Sequence, residues 1–300
     1  MSRNFKLGSF FVILAALFWG LSGVFGQYLF QVVKFPPIFV TTIRLFASGV
    51  VFFIITLLKG DKEQLFSIFK SKQDIINLVL YSIIGLMSVQ LTYYMAINYS
   101  NASTATIIQY LCPALIMIYI AIKNKKMPEK IDIVAVIFAL VGIFLISTHG
   151  NIHSLSISTL AFVWGIASAF AMGFNTLMPV NLINKYGSPI IMSWGMIIGG
   201  LILGIFSQSW SVDVIWDFRA IGMFICVVLV GTVAAFYCFF EGVKLIGPGK
   251  ASLFVSIEPL MATIFTVMFM GAKFVFVDYI GLACITVMLI LLAVGGESKE

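Results

Sequence analysis

The sequence has 300 residues, of which 61% are hydrophobic and 10% are charged, and its formal net charge is +6. A typical soluble domain has about 25% charged residues, so a soluble protein with this composition could not cover its surface with polar groups. This excludes an ordinary soluble enzyme, a disordered protein and a nucleic-acid-binding protein. The composition predicts an integral membrane protein whose apolar side chains are solvated by lipid.

Charged residues and turn signals divide the chain into ten apolar segments of helical length. The first segment runs for 27 residues without a charge, whereas the apolar region of a signal peptide has only about 7–15 residues. We therefore interpret it as a membrane helix. The predicted helices, in chain order, are Leu7–Phe30, Pro36–Leu58, Ile75–Ile97, Ala102–Ile122, Ile131–Ser147, Ile157–Met178, Pro189–Ser207, Phe218–Glu241, Gly249–Met270 and Phe276–Val294.

The distribution of basic residues predicts the orientation of these helices. With the N-terminus inside, 14 of the 18 lysines and arginines fall on the inner side, three fall on the outer side, and Arg44 lies within a helix. Lysine and arginine are retained on the cytoplasmic side of membranes. The split favours an even number of helices with both termini in the cytoplasm.

The two halves of the sequence resemble each other. A shift of 146 positions places Pro113 on Pro259, and a shift of 145 positions places Trp19 on Trp164. Residues 1–150 and 151–300 would then each hold five helices. Because five is odd, the second repeat would cross the membrane in the opposite orientation. Inverted repeats are typical of transporters, which bind substrate near the membrane midplane between the repeats.

Four sequence segments carry a resemblance to a known family: Phe18-Trp19-Gly20, Arg44-Leu45-Phe46-Ala47, the run from Tyr94 to Pro113 and the run from Phe240 to Pro259. These segments resemble the EamA type of the drug/metabolite transporter superfamily, and the resemblance covers nearly the whole chain. It implies an all-α polytopic membrane protein with ten transmembrane helices as two inverted five-helix repeats. It also implies cytoplasmic termini, a bacterial inner or plasma membrane location, and transport of small metabolites, often amino acids outward.

Ionisable residues inside a membrane helix are costly, so each one is a candidate functional residue. Glu258 lies near the middle of the ninth predicted helix, and Pro259 after it removes a backbone donor and frees a carbonyl. Its carboxylate could hold a substrate ammonium or a proton, or it could fix helix packing. Arg44 could neutralise a substrate carboxylate, extend to the lipid headgroups, or pair with Glu258 or a backbone carbonyl.

Several aromatic and amide side chains at mid-helix positions could line a pocket with apolar walls and few polar anchors. Hydrogen bonding between helices is the alternative interpretation for each polar member. Together with the two charged residues, the predicted substrate-binding residues are Trp19, Arg44, Tyr94, Gln109, Trp164, Asn175, Tyr237 and Glu258, and Tyr110 adds a further polar tip.

The sequence indicates no catalytic or cofactor site. The four cysteines lie in apolar runs without metal-binding spacing, and no nucleotide-binding or hydrolase motif is present. His149 and His153 have the four-residue spacing that binds metal on a helix, but no third ligand is near them, which favours a solvated loop. We therefore expect no metal, no cofactor and no enzymatic activity.

The leading hypothesis is a secondary-active transporter that exports an amino acid or related compound by alternating access, driven by a proton or substrate gradient. One alternative is inward transport of a cationic nutrient on the same fold, since a carboxylate and aromatic rings bind cations. Another is a non-transporting membrane protein or a channel. The expected partners are a small-molecule substrate, a coupling proton and the lipid bilayer, with no nucleic acid. The oligomeric state stays open.

Overall fold

The computed structural model describes residues 3–58, 62–125, 130–149, 151, 157–246, 251, 254–255 and 257–297. These residues form helices joined by short links, and they contain no strand. In the N-terminal half the helices are α1 Arg3–Gln31, α2 Pro37–Leu58, α3 Lys62–Ser67, α4 Lys72–Tyr99, α5 Ala102–Gln109, α6 Cys112–Asn124 and α7 Lys130–Thr148. In the C-terminal half they are α8 Thr159–Leu177, α9 Val180–Tyr186, α10 Ser188–Ser207, α11 Phe218–Ile246, α12 Glu258–Met270 and α13 Phe276–Glu297.

Six helical stretches among the described residues are long and apolar enough to cross a bilayer. They are α1, α2, α4, the joined pair α8–α9, α10 and α11, and each has 20–29 residues. A helix of 20 residues spans about 30 Å, the thickness of the hydrocarbon core. Four shorter apolar helices lie in α5–α6, α7, α12 and α13. The prediction of an all-helical, multi-pass membrane protein is confirmed.

The fourth predicted helix is broken in the structure, which corrects the single segment Ala102–Ile122. A turn at Tyr110 and Leu111 separates α5 from α6. The cause is Pro113, whose ring would clash with the carbonyl of Gln109 in a continuous helix and which has no N–H to donate to that carbonyl.

The ninth predicted helix also differs from the structure. The prediction gave one continuous helix from Gly249 to Met270. In the structure Ala251, Phe254 and Val255 are helical, a turn lies at Ile257, and α12 begins at Glu258. Pro259 occupies the first turn of α12, where its missing N–H has no helical partner to lose. The predicted start at Gly249 lies outside the described residues. A break therefore precedes a proline in both regions.

Two of the long helices contain π-helical segments, at Tyr81–Met87 in α4 and Cys226–Ala234 in α11. A hydroxyl group accompanies each wider turn. Ser88 donates to the carbonyl of Ile83 over 2.7 Å, and Thr232 donates to the carbonyl of Val227 over 3.0 Å, each reaching five residues back. Such segments are often found at functional sites.

Close helix packing in the core depends on glycine at defined positions. In the contact between α2 and α10, a Cβ atom on Gly200 would lie 2.7 Å from the backbone nitrogen of Phe46, and one on Gly49 would lie 2.7 Å from that of Ile197. The two backbones thus approach more closely than any larger residue would allow. Small residues bring membrane helices together in this way.

Candidate functional site

The two helix breaks meet at the side chain of Tyr110. The hydroxyl of Tyr110, in the break between α5 and α6, donates to Oε2 of Glu258 over 2.8 Å. The same hydroxyl lies 3.3 Å from the carbonyl oxygen of Val255, just before α12. Glu258 is the first residue of α12, and both side chains are only partly buried. A carboxylate inside the helical bundle therefore remains partly accessible.

Hydroxyl groups connect the helices around this carboxylate. The Tyr93 hydroxyl and Oγ1 of Thr106 lie 2.8 Å apart, joining α4 to α5. The hydroxyls of Ser103 and Thr263 lie 2.5 Å apart, joining α5 to α12. These contacts fix α5 against both neighbours, so the position of the break beside Glu258 is defined from two sides.

Gln109 ends α5 directly before the break. Its Nε2 atom donates to Oγ of Ser168 on α8 over 2.6 Å. This contact ties α5 to α8, the helix that also carries Trp164. Gln109 therefore forms a hydrogen bond between helices beside the candidate site. Contact of Gln109 with a substrate stays a prediction.

The glycines of α1 allow its backbone to approach the site. A Cβ atom on Gly20 would lie 3.1 Å from the backbone nitrogen of Ala262 on α12. One on Gly23 would lie 2.8 Å from the hydroxyl of Tyr93. α1 therefore closes one side of the region that contains Tyr93 and Glu258, and larger residues at these positions would displace it.

Arg44 of α2 is buried, with 4% of its surface exposed. Its Nε atom donates to Oγ1 of Thr232 over 2.8 Å, a second guanidinium nitrogen lies 3.5 Å from the carbonyl oxygen of Gly231, and the guanidinium carbon lies 4.9 Å from the centre of the Tyr94 ring. Arg44 thus binds the π-helical segment of α11. It does not extend to headgroups, and in the described part of the chain neither Arg44 nor Glu258 forms an ion pair.

A pair of stacked tyrosines lies beside Arg44. The Tyr93 and Tyr94 rings lie 6.0 Å apart at an interplanar angle of 28°. Tyr94 carries the Arg44 guanidinium on its face, whereas the Tyr93 hydroxyl contacts Thr106 of α5. The two rings therefore connect the surroundings of Arg44 to α5, the helix that ends beside Tyr110.

The two tryptophans proposed from the internal repeat occupy different surroundings. Trp19 on α1 packs against the rings of Phe236 and Phe239 on α11, at centroid distances of 5.3 and 5.4 Å. Trp164 on α8 is half-buried and packs against the apolar cluster that includes Tyr94. Both side chains support apolar walls near the site. Whether either contacts a substrate stays a prediction.

The remaining two predicted residues lie apart from the hydrogen bond between Tyr110 and Glu258. Asn175 approaches the π-helical segment of α4, because a Cβ atom on Gly85 would lie 3.2 Å from the Asn175 Cα atom. Its Oδ1 atom is buried and has no hydrogen-bond partner within the described structure. Tyr237 on α11 has an exposed side chain. Their roles as substrate-binding residues stay predictions.

The described residues contain no group of three histidine, cysteine or acidic side chains that could hold a metal ion. Nδ1 of His149 lies 2.5 Å from Oδ1 of Asp278, whose other oxygen accepts from the backbone nitrogen of Val275 at the start of α13. His149 therefore joins α7 to α13. The second histidine considered with it, His153, lies outside the described residues.

Sequence reasoning missed three residues of this region: Tyr93, Thr106 and Thr232. Hydroxyls within membrane helices bond a carbonyl of their own helix so commonly that Thr106 and Thr232 carried no distinct signal. Tyr93 precedes Tyr94, and the sequence alone did not indicate which of the two hydroxyls contacts α5. The useful signal was the proline pair Pro113 and Pro259, because both helix breaks lie beside them.

The fold and site define a multi-pass helical membrane protein with an accessible carboxylate where two interrupted helices meet. Comparison with known proteins agrees with this class. The family model described as the EamA-like transporter family matches residues 6–148 and 159–294. The chain belongs to the EamA-like transporter family.

Related proteins cover nearly the same length. An uncharacterized inner membrane transporter of Salmonella typhimurium, YicL, is 37% identical over 294 residues, which are 98% of this chain and 97% of that protein. The uncharacterized transporter YwfM of Bacillus subtilis is 22% identical over 301 residues, covering 97% and 95% of the two chains. A solved crystal structure superposes with a TM-score of 0.64 at 15% identity, covering 100% of this chain and 99% of the other. This superposition shows that the two chains share a fold.

Proposed function

We propose that this protein is a secondary-active transporter, and not an enzyme, that moves a small metabolite across the membrane by alternating access. The observation that carries the proposal is the hydrogen bond between Tyr110 and Glu258. It joins an accessible carboxylate to two interrupted helices, and transporters commonly bind substrates and coupling ions at interrupted helices. The family membership supports the general role.

The proposed architecture is ten transmembrane helices in two inverted repeats, residues 1–150 and 151–300. Three observations support it. The family model matches in two segments, one in each half. A shift of 146 positions moves the π-helical segment Tyr81–Met87 onto 227–233, within the second π-helical segment. The same shift moves the turn at Tyr110 and Leu111 onto 256–257, directly before Glu258. Two such repeats could rock about the site between them.

The proposed location is the inner membrane of a bacterium, with both termini in the cytoplasm. The excess of basic residues on one predicted side supports this orientation. The relative from Salmonella typhimurium is an inner membrane transporter by name, which supports the inner membrane as the location. A cysteine-accessibility assay on single-cysteine variants at each terminus tests the orientation, because a membrane-impermeant reagent would label neither terminus in intact cells.

The first proposed substrate class is an amino acid or a related compound, moved outward. In this scheme Glu258 holds the ammonium group and Arg44 attracts the carboxylate. Trp19, Trp164, Tyr94, Gln109, Asn175 and Tyr237 are the proposed lining. Movement of a proton on and off Glu258 would couple transport to the proton gradient, since a carboxyl group inside a membrane protein can exist in both states.

A cationic nutrient moved inward is the second candidate, and a specific contrast favours it. Glu258 is partly exposed, whereas Arg44 is 4% exposed and bonded to Thr232. A ligand entering the site in this conformation meets the negative group first. A substrate carboxylate would reach Arg44 only after the guanidinium leaves its present partners, while an amine needs no such change.

Transport by purified protein in liposomes tests the proposal. Without ATP, the protein should accumulate at least one compound from a panel of radiolabelled amino acids and carboxylate-free amines when a pH gradient or an opposing substrate gradient is applied. Competition by amines alone would favour the second candidate, and competition that requires a carboxylate would favour the first. Failure of the whole panel, or ionic currents far above carrier turnover, would contradict the proposal.

A further inference from the structure

A cavity lies between α2, the end of α10 and the segment 209–216, and neither Tyr110 nor Glu258 lines it. Its volume is about 650 Å³, within the range of small-molecule sites. Apolar side chains form most of its walls, among them Phe39, Ile43, Leu201 and Trp216. None of its lining residues belongs to the site around Tyr110 and Glu258, so its occupant need not be the transported substrate.

This cavity opens sideways, towards the surface that faces lipid. Phe46, Leu201 and Ile205 line it and also have exposed side chains. Phe206, next to the opening, is 84% exposed. Acyl chains solvate such an apolar patch on a membrane helix, because contact between water and its apolar side chains would be unfavourable. The neighbouring medium is therefore lipid.

The cavity lies at the depth of the membrane–water interface. It adjoins the last turn of α10, a helix of 20 residues that ends at Ser207. Such a helix spans about 30 Å, so its end reaches the headgroup region. Trp210 and Trp216 line the cavity beyond that end and are both exposed, as expected for the tryptophans that mark membrane interfaces.

Asp213 is the only charged residue among the described residues that line this cavity. Its side chain is exposed and forms no ion pair in the described part of the chain. The hydroxyls of Thr42 and Ser209 in the same lining are buried and lie 3.1 Å apart, so they already bind each other. A carboxylate beside two indole rings attracts an ammonium group and repels a phosphate without a compensating cation.

We propose that this cavity holds an acyl chain of a phospholipid whose headgroup carries an ammonium, with that ammonium at Asp213. The apolar walls and the lateral opening favour an acyl chain as the occupant. The depth of the cavity places the lipid headgroup beside Asp213. The Asp213 carboxylate then favours the ammonium group of a zwitterionic lipid over the headgroup of an anionic lipid. The proposal does not depend on the transported substrate.

Native mass spectrometry of the detergent-purified protein tests the headgroup preference. The protein is equilibrated with equal amounts of phosphatidylethanolamine and phosphatidylglycerol. We expect the wild-type protein to retain phosphatidylethanolamine with about tenfold preference, the effect of one charge-assisted contact. Asp213→Asn should remove most of this preference, whereas Glu63→Gln, in the exposed helix α3, should keep it. Equal retention of both lipids by the wild type, or an unchanged preference in Asp213→Asn, would overturn the proposal.

A matched pair of substitutions tests the cavity itself. Leu201, which lines it, is 48% exposed, and Leu229, on another lipid-facing surface of α11, is 45% exposed. Leu201→Trp should fill the cavity and lower the bound phosphatidylethanolamine several-fold, whereas Leu229→Trp should not. Ile205→Trp at the opening gives the same comparison if Leu201→Trp fails to fold. Lipid occupancy equal to that of Leu229→Trp in the folded cavity variants would overturn the proposal.

Discussion

The hydroxyl of Tyr110 donates a hydrogen bond to Oε2 of Glu258 over 2.8 Å, and each residue lies where a helix is interrupted beside a proline. Continuous membrane helices satisfy their backbone groups internally, so breaks are tolerated only where protein or a water-filled cavity provides partners. The two breaks therefore identify the part of this transporter best suited to bind a polar substrate. The hydrogen bond also couples the break in α5–α6 to the start of α12.

Replacing Tyr110 with phenylalanine tests whether this coupling matters for transport. Tyr110→Phe removes the donor to Glu258 and leaves the ring in place. A hydrogen bond to a charged group contributes about 1.5–3 kcal/mol, so we expect the apparent substrate affinity to change by about tenfold or more. Initial rates of uptake into proteoliposomes measure this change.

Tyr119→Phe is the matched control for Tyr110→Phe. Tyr119 lies on α6, has an exposed side chain, and has its ring 5.8 Å from Nζ of Lys123. We expect this variant to transport like the wild type. If both variants behave like the wild type, the contact between Tyr110 and Glu258 has no role in substrate binding.

Replacing Arg44 with lysine should destabilise the protein even though the charge is kept. Lysine lacks the Nε atom that donates to Thr232 and lacks the planar group that lies over Tyr94. A poorly compensated charge would remain in the interior. We expect a loss of about 1.5–3 kcal/mol, seen as a lower midpoint of thermal unfolding in detergent.

The control for Arg44→Lys is Arg219→Lys, at an exposed position near the start of α11. Its unfolding midpoint should equal that of the wild type, because exposed charges contribute little. An unchanged midpoint for Arg44→Lys would show that the contacts of Arg44 with Thr232 and Tyr94 do not stabilise the fold.

Two glycine substitutions in helices separate close packing from helix propensity. Gly200→Ala would bring a methyl group to 2.7 Å from the backbone of Phe46, so α2 and α10 must move apart, at a cost of about 1–3 kcal/mol. Gly222→Ala on α11 meets no atom within 4 Å and should be neutral or slightly stabilising, because alanine favours helix. Equal unfolding midpoints for the two variants would contradict the described contact between α2 and α10.

The long helices could be predicted because their apolar runs are bounded by charges and turn residues. Pro113 and Pro259 also carried a usable signal, and Glu258 was identified from the cost of placing a carboxylate in lipid. The prediction of a continuous fourth helix was wrong because hydrophobicity gives the extent of an apolar run. It does not show whether a proline within that run interrupts the helix. Periodicity and composition together therefore predict the fold class better than they predict the helix breaks at the candidate site.

The partners of the site residues could not be predicted, because they depend on how distant helices pack. Thr232 lies 188 positions from Arg44, and nothing in its apolar surroundings distinguishes it from other hydroxyl residues. The exposed position of Tyr237 likewise depends on which face of α11 meets its neighbours. The pattern of a single sequence indicates where each helix begins and ends. The rotation of each helix about its own axis depends on how its surface fits the surfaces of the neighbouring helices.

The most direct test of the central claim is the initial rate of uptake by Glu258→Gln in proteoliposomes, measured with a compound that the wild-type protein transports. Glu241→Gln is the control, since Glu241 pairs with Lys244 at an exposed position. If Glu258 binds the positively charged group of the substrate or a coupling proton, Glu258→Gln should lower the apparent affinity at least about tenfold, or abolish the response to a pH gradient. Glu241→Gln should do neither. A folded Glu258→Gln variant with wild-type affinity and wild-type dependence on the pH gradient would contradict the account.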